Sequence, residues 1–170
     1  PDGVPLVWHD PWPGVSAGGW AYAAAEPHPG AGRDWAEGLV APDELDRIIA
    51  DAASGSVSLA GTVAADALRI AAWRPRWSDV DERTLPHELD WMRTAVHLDK
   101  GCYRGQETVA KVHNLGHPPR RVVALQLDGV VPAPGDAVRD ADTVVGAVLA
   151  SALHFEEGPI ALASVRRSTA

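Results

Sequence analysis

The chain has one cysteine, one methionine, one phenylalanine and two lysines in 170 residues. A single thiol, Cys102, excludes an internal disulfide and any metal centre built on several thiolates of this chain. It also fits a reducing cytoplasm, the expected location. No apolar run reaches the roughly 18 residues that a membrane-spanning helix needs, so no membrane span is expected. Positive charge is scarce as well: 15 basic residues against 23 acidic ones leave a net charge of -8. The pairs Arg120-Arg121 and Arg166-Arg167 are too short to make the basic surface that phosphate neutralisation requires, so no direct nucleic-acid partner is expected. Internal repeats and low-complexity tails are missing. Pro1 to Pro5 have neither a basic n-region nor an apolar h-region, so no signal peptide is expected. With Pro rather than Met at position 1, the chain reads as the later part of a longer polypeptide.

What is present is ordinary globular composition, 46% hydrophobic and 22% charged, with seven tryptophans and 14 prolines. Alternation in Val4–Trp8 and Gly19–Ala23 predicts two short strands among Pro and Gly turns. Residues 43–53 predict a helix with acids in its first turn. A second helix is predicted from a Thr62 cap to Arg74, with Val63, Ala67, Ile70 and Ala71 on one face and Pro75 beyond its end. Trp77 to Asp90 reads as loop, 93–99 as a strand, and Gln106 to Asn114 as a short helix closed by Gly116 and Pro118. Three strand-like runs follow, 121–128, 143–151 and 160–165, separated by Gly, Pro and Asp turns. The expected class is α+β: a mixed part over 1–117 and a small all-β part over 118–170.

Chemistry concentrates in Lys100-Gly101-Cys102-Tyr103-Arg104-Gly105-Gln106-Glu107. Both lysines of the chain, Lys100 and Lys111, lie within twelve residues of each other around its only cysteine. A thiol reacts as its thiolate, and positive neighbours favour that form. Lys100 and Arg104 flank Cys102, and the start of the predicted helix would add positive partial charge. Gly101 and Gly105 permit tight turns and close approach of a ligand. Gln106 and Glu107 offer hydrogen bonds or a balance to Lys100. Against this stands the commoner case, a lone cysteine as a small buried hydrophobe.

Elsewhere the signals are thinner. The seven histidines show no metal-ligand spacing; His113 and His117 stand at i and i+4, but Gly116 intervenes, and no metal site is expected. The tryptophans are more often core or loop anchors than ligand platforms, although Trp73 and Trp77, near a helix end, are placed to wall a pocket for a flat heterocycle.

The string Lys-Gly-Cys-Tyr-x-Gly-Gln-Glu at 100–107 resembles the signature of the YgfZ family, relatives of the glycine-cleavage T-protein, an aminomethyltransferase. Ala67–Pro75, Asp81–Glu88, Val144–Ala152 and Gly158–Ala163 resemble further segments of the same family, so the likeness covers most of residues 60–167. It implies two α+β subdomains around a folate pocket and a small C-terminal antiparallel β-barrel, of which this chain would hold the later part. Aminomethyltransferases carry Arg-x-Glu-x-Gly on the helix where this chain has Arg69-Ile70-Ala71-Ala72-Trp73. Ala71 replaces a carboxylate that pairs with pterin N–H donors, which disfavours ordinary T-protein chemistry.

The function implied is a tetrahydrofolate-dependent accessory factor for forming or repairing iron–sulfur clusters in client enzymes, such as transfer-RNA methylthiotransferases. Cys102 would be the working thiol and Lys100 its activator. Gly101, Tyr103, Gly105, Gln106 and Glu107 would shape and position the segment, and Arg69 and Trp73 would stand at the cofactor. The rival readings are a folate-dependent one-carbon transferase and a folate-binding or redox-sensing module without catalysis.

Overall fold

Small and branched apolar residues alternate along Gly158–Arg166, and this run becomes the central strand of a four-stranded sheet in the computed structural model, which describes residues 6–23 and 25–169. Calling the strands β3 (Arg120–Gln126), β4 (Ala137–Asp140), β5 (Thr143–His154) and β6 (Gly158–Arg166), the order is β3-β6-β5-β4, with every pair antiparallel. Ala161, Leu162 and Ala163 are fully buried because β6 is flanked on both sides and covered on both faces. One face sets Ile160, Leu162, Val122, Ala150 and Ala152 against Ala67 and Ile70 of helix α2 (Thr62–Ala71). The other gathers Val145, Ala163 and Val165 with Val123, Leu125 and Val138. Irregular pairing between Val148 and Ala150 and between Val138 and Arg139 bends these strands. The sheet is open among the described residues, with β3 and β4 at its edges, so the closed barrel expected over 118–170 is not found.

A two-stranded ribbon pairs β1 (Leu6–His9) with β2 (Ala36–Leu39), Leu6 opposite Leu39. Helix α1 (Pro42–Ser54) has Pro at its first position, Asp43 and Glu44 in its first turn, and Gly55 in the left-handed conformation at its end. None of its residues is buried. Among the described residues, helix α3 (Gln106–Leu115) completes the regular elements, with short 3-10 turns at Pro29–Gly32, Trp77–Asp79 and Trp91–Arg93.

Helix α2 stops earlier than expected, at Ala71, by a Schellman closure: Trp73 N–H donates to Ile70 O (3.0 Å) and Arg74 N–H to Arg69 O (2.9 Å), with Trp73 at φ 54°. That left-handed position ordinarily takes glycine. Gly61, rather than Thr62, occupies the cap position, and Val63 is exposed because the first turn overhangs the sheet.

Two predicted strands do not form. In 19–23, Tyr22 N–H and Ala23 N–H donate to the Asp90 carboxylate instead of to a neighbouring strand. In 93–99, the Trp91–Arg93 turn and the bond Leu98 N–H to Gly18 O (2.8 Å) replace a ladder. Of the strand expected over 4–8, Val4 and Pro5 lie outside the described residues, as do Pro1 to Gly3. Strands β2 and β4 were not anticipated, since Ala-Glu-Gly-Leu and Ala-Val-Arg-Asp carry little β-propensity and sit among turn residues.

Candidate functional site around Cys102

The segment from Lys100 to Gly105 is an irregular surface loop that runs into α3. Cys102 is exposed on it. Lys100 Nζ lies 5.2 Å from the centre of the Tyr103 ring, a cation–π contact, while Tyr103 itself is half-buried. Gly105 caps the helix at φ 84°, and Val109 N–H donates to its carbonyl at 3.1 Å. A side chain at 105 would be strained in that conformation. Gly101 has neither a left-handed backbone nor a crowded Cβ position, so nothing among the described residues requires glycine there. Gln106 and Glu107 form the first turn of α3, Glu107 exposed and acidic where a helix start favours it.

What holds α3 in place is a set of buried and half-buried polar residues, of which the sequence reading singled out only His113. His87 Nε2 donates to Val109 O at 3.2 Å, and the Tyr22 hydroxyl and His113 Nδ1 share a hydrogen bond at 2.8 Å. The Tyr22 ring meets His87 edge-on at 5.1 Å, and Trp20 meets His113 edge-on at 5.2 Å. Behind them Asp90, 2% exposed and at φ 57°, accepts from Tyr22 N–H, Ala23 N–H and Arg93 Nε, with His28 Nε2 at 3.6 Å. Glu88 joins this region to the sheet: Arg120 donates to its carboxylate, and Val122 N–H to its carbonyl. The density of charge in Leu-Pro-His-Glu-Leu-Asp-Trp-Met-Arg, placed among large apolar residues, was the available signal.

Between the entry to the Cys102 loop and α3 lies an open cavity of about 420 Å³, walled by Gly18, Trp20, Asp99, Ala110, His113 and Asn114. Gly19 lines it too, and a Cβ there would meet Arg93 O at 2.5 Å, which is why the chain can run so close to 92–93.

Arg69 and Trp73 stand apart from this loop. The Arg69 guanidinium is buried and engaged within the chain: Nε to Asp66, Nη1 to Asp79 and to Arg74 O, and Nη2 to Asp79. Trp73 leans on the α2–sheet core, with His28 edge-on at 6.4 Å. Among the described residues no group of three or more His, Cys, Asp or Glu is placed to hold a metal, and no helix is long and apolar enough to cross a membrane.

Burial makes this region pH-sensitive. Desolvation, with His113 adding to it, holds His87 below its ordinary value of 6.5, against the opposing pull of the Val109 carbonyl and Glu88. Desolvation and Arg93 likewise lower His28, opposed by Asp90 and Glu26. Both groups take up protons at a lower pH when folded than in the unfolded chain, where they titrate near pH 6.5. The stability they contribute is therefore fully present above about pH 6.5 and is lost as the pH falls below it. Urea midpoints at pH 7.5 and 5.5 are expected to show the drop, and His87→Gln should flatten it by removing one of the two groups.

No protein-family model and no curated protein sequence matches the chain. Its fold is similar to that of a solved structure, the glycine cleavage system aminomethyltransferase T from Bartonella henselae, with a TM-score of 0.61 at 23% sequence identity. The match covers 82% of this chain and 40% of the aminomethyltransferase, so the chain spans about two-fifths of that protein's length and shares its fold over that part.

Proposed function

We propose that this chain belongs with the YgfZ-type proteins and serves as a cytoplasmic, tetrahydrofolate-linked accessory factor for forming or repairing iron–sulfur clusters in client enzymes. Residues 118–170 would be its C-terminal unit. The observation that carries the reading is an exposed thiol: Cys102 stands in a loop within a Lys-Gly-Cys-Tyr-x-Gly-Gln-Glu string, on an aminomethyltransferase-like fold. A surface thiol beside Lys100, Arg104 and a helix start is placed to meet a partner protein. One cysteine cannot hold a cluster, so a cluster on a client would be met through a thiol that shares the contact with the client's own ligands.

The cofactor fits less well. Ala71 offers no acceptor for pterin N–H groups, and every Arg69 nitrogen already has a partner within the chain. Trp73 is packed into the core. These residues do not make a pterin site by themselves, and the same mismatch argues against the one-carbon transferase.

The test is rescue of a strain lacking its own YgfZ-type gene by the full-length protein, read as activity of an iron–sulfur methylthiotransferase on transfer RNA. Wild type is expected to rescue and Cys102→Ala to fail, with an unchanged urea midpoint because the side chain is exposed. Equal rescue by both would reduce Cys102 to a bystander, and rescue by neither would remove the cluster role.

A further inference from the structure

A second cavity, of about 280 Å³, is lined by residues of the β1–β2 ribbon and the segment leading to it, by residues 74–77 and by Trp91. Trp35, Trp77 and Trp91 stand on its wall together with Arg33, Arg74, Asp10 and Glu37, whose carboxylate accepts from the Trp35 indole N–H at 3.2 Å.

The arginines are unequally satisfied. Arg74 makes a two-point contact with Asp10, Nε at 3.1 Å and Nη2 at 3.3 Å. Arg33 has only Nε, at 3.4 Å from the same carboxylate. Its side chain is 8% exposed, yet among the described residues neither Nη1 nor Nη2 has a hydrogen-bond acceptor. The group lies over Trp35, 4.7 Å from the ring centre. The guanidinium shares the Asp10 carboxylate with a second arginine, and its Nη groups are not among the fully buried unpartnered atoms, so they keep access to the cavity, whose wall also carries the Glu37 carboxylate. Burial lowers the proton affinity of Arg33, Asp10 raises it, and Arg74 and Arg76 lower it further.

The second half of the wall is aromatic. Trp77 and Trp91 stack with planes 11° apart and centres at 6.3 Å. Trp77 is 81% exposed, an unusual state for an indole, and its outer face is uncovered. Trp91 has a buried indole N–H with no acceptor among the described residues. Unused donors for an anion thus adjoin a bare aromatic platform.

We propose that this cavity binds a planar aromatic carboxylate, with the Nη groups of Arg33 taking the carboxylate as a two-point pair and the Trp77–Trp91 stack taking the ring. Planar fork-to-carboxylate pairing and ring stacking are the two interactions that these groups make well. The site is separate from Cys102 and does not depend on the function proposed for that thiol.

The test titrates the full chain, labelled with nitrogen-15, with three probes: indole-3-carboxylate, indole and acetate. The carboxylated ring is expected to bind about tenfold more tightly than indole and more tightly still than acetate, shifting the indole N–H signals of Trp77 and Trp91. Arg33→Gln should remove that tenfold advantage while leaving indole binding unchanged. Trp77→Ala, at a position 81% exposed, should weaken both ring probes by about fivefold with a thermal melt close to that of wild type. Unshifted Trp77 and Trp91 signals at 10 mM indole-3-carboxylate (on the order of the weakest useful affinity) would overturn the proposal. So would equal affinity in Arg33→Gln, provided its thermal melt matches wild type. Tetrahydrofolate is added as a competitor: failure to displace the probe supports a separate site, and competitive displacement overturns its independence.

Discussion

Asp90→Ala is expected to cost about 3–5 kcal/mol of folding stability, as removal of one member of a buried charged cluster does. The Asp90 carboxylate receives two backbone N–H groups, from Tyr22 and Ala23, and the Nε of Arg93 at 2.8 Å. Truncation strands all three donors in a region closed to water, and Arg93, itself 5% exposed, becomes an unpaired buried cation. The backbone adds to the loss, because position 90 sits at φ 57°, which alanine tolerates less well than aspartate. Urea unfolding reads the effect as a lower midpoint at unchanged slope. Asp142→Ala, in an exposed turn, is the control and should change little. A loss for Asp90→Ala below about 1 kcal/mol would mean that the cluster is not what ties the 16–23 segment to residues 87–93.

Trp12→Ala is the second large loss, again about 3–5 kcal/mol. Trp12 is fully buried, and its indole N–H donates at 2.8 Å to Ala72 O, one of the carbonyls left over at the end of α2. Arg74 lies over the ring at 4.8 Å and Arg93 at 5.8 Å, with His28 edge-on at 5.6 Å. Gly30 packs so tightly against the ring that a Cβ there would meet Trp12 Cδ1 at 2.5 Å, so the surroundings are shaped to this side chain. Trp12→Phe keeps most of the volume but loses the N–H and should cost about 1–2 kcal/mol, separating the hydrogen bond from the packing. Trp12 and Asp90 share Arg93 and His28, so the double variant should lose less than the two single losses added together.

The contrast between these residues and the loop around Cys102 explains what was legible beforehand. Helix α1 was readable from its first-turn acids, α3 from the Gly116 and Pro118 that close it, and strands β3, β5 and β6 from strand-like runs bounded by Gly, Pro and Asp turns. The expected strands at 19–23 and 93–99 failed because alternation reports a capacity to pair and not the presence of a partner. In the first, an aspartate side chain took the N–H groups that a strand would have used. The helix running to Arg74 was overestimated by three residues for a related reason. Its closure depends on a left-handed residue, and Trp73 does not advertise that conformation as glycine does.

By itself the sequence determined the Cys102 segment as the place where charge, glycine and a thiol meet, and it determined the strand-rich character of the C-terminal third. Both are local matters, carried by neighbours within a few positions. Only the tertiary structure decided that Arg69 is engaged by Asp66 and Asp79, that His87 and Tyr22 reach α3, and that Arg33 shares the Asp10 carboxylate with Arg74. Those outcomes depend on which distant groups burial brings within about 3 Å of each other, and desolvation then makes each satisfied or unsatisfied polar atom count.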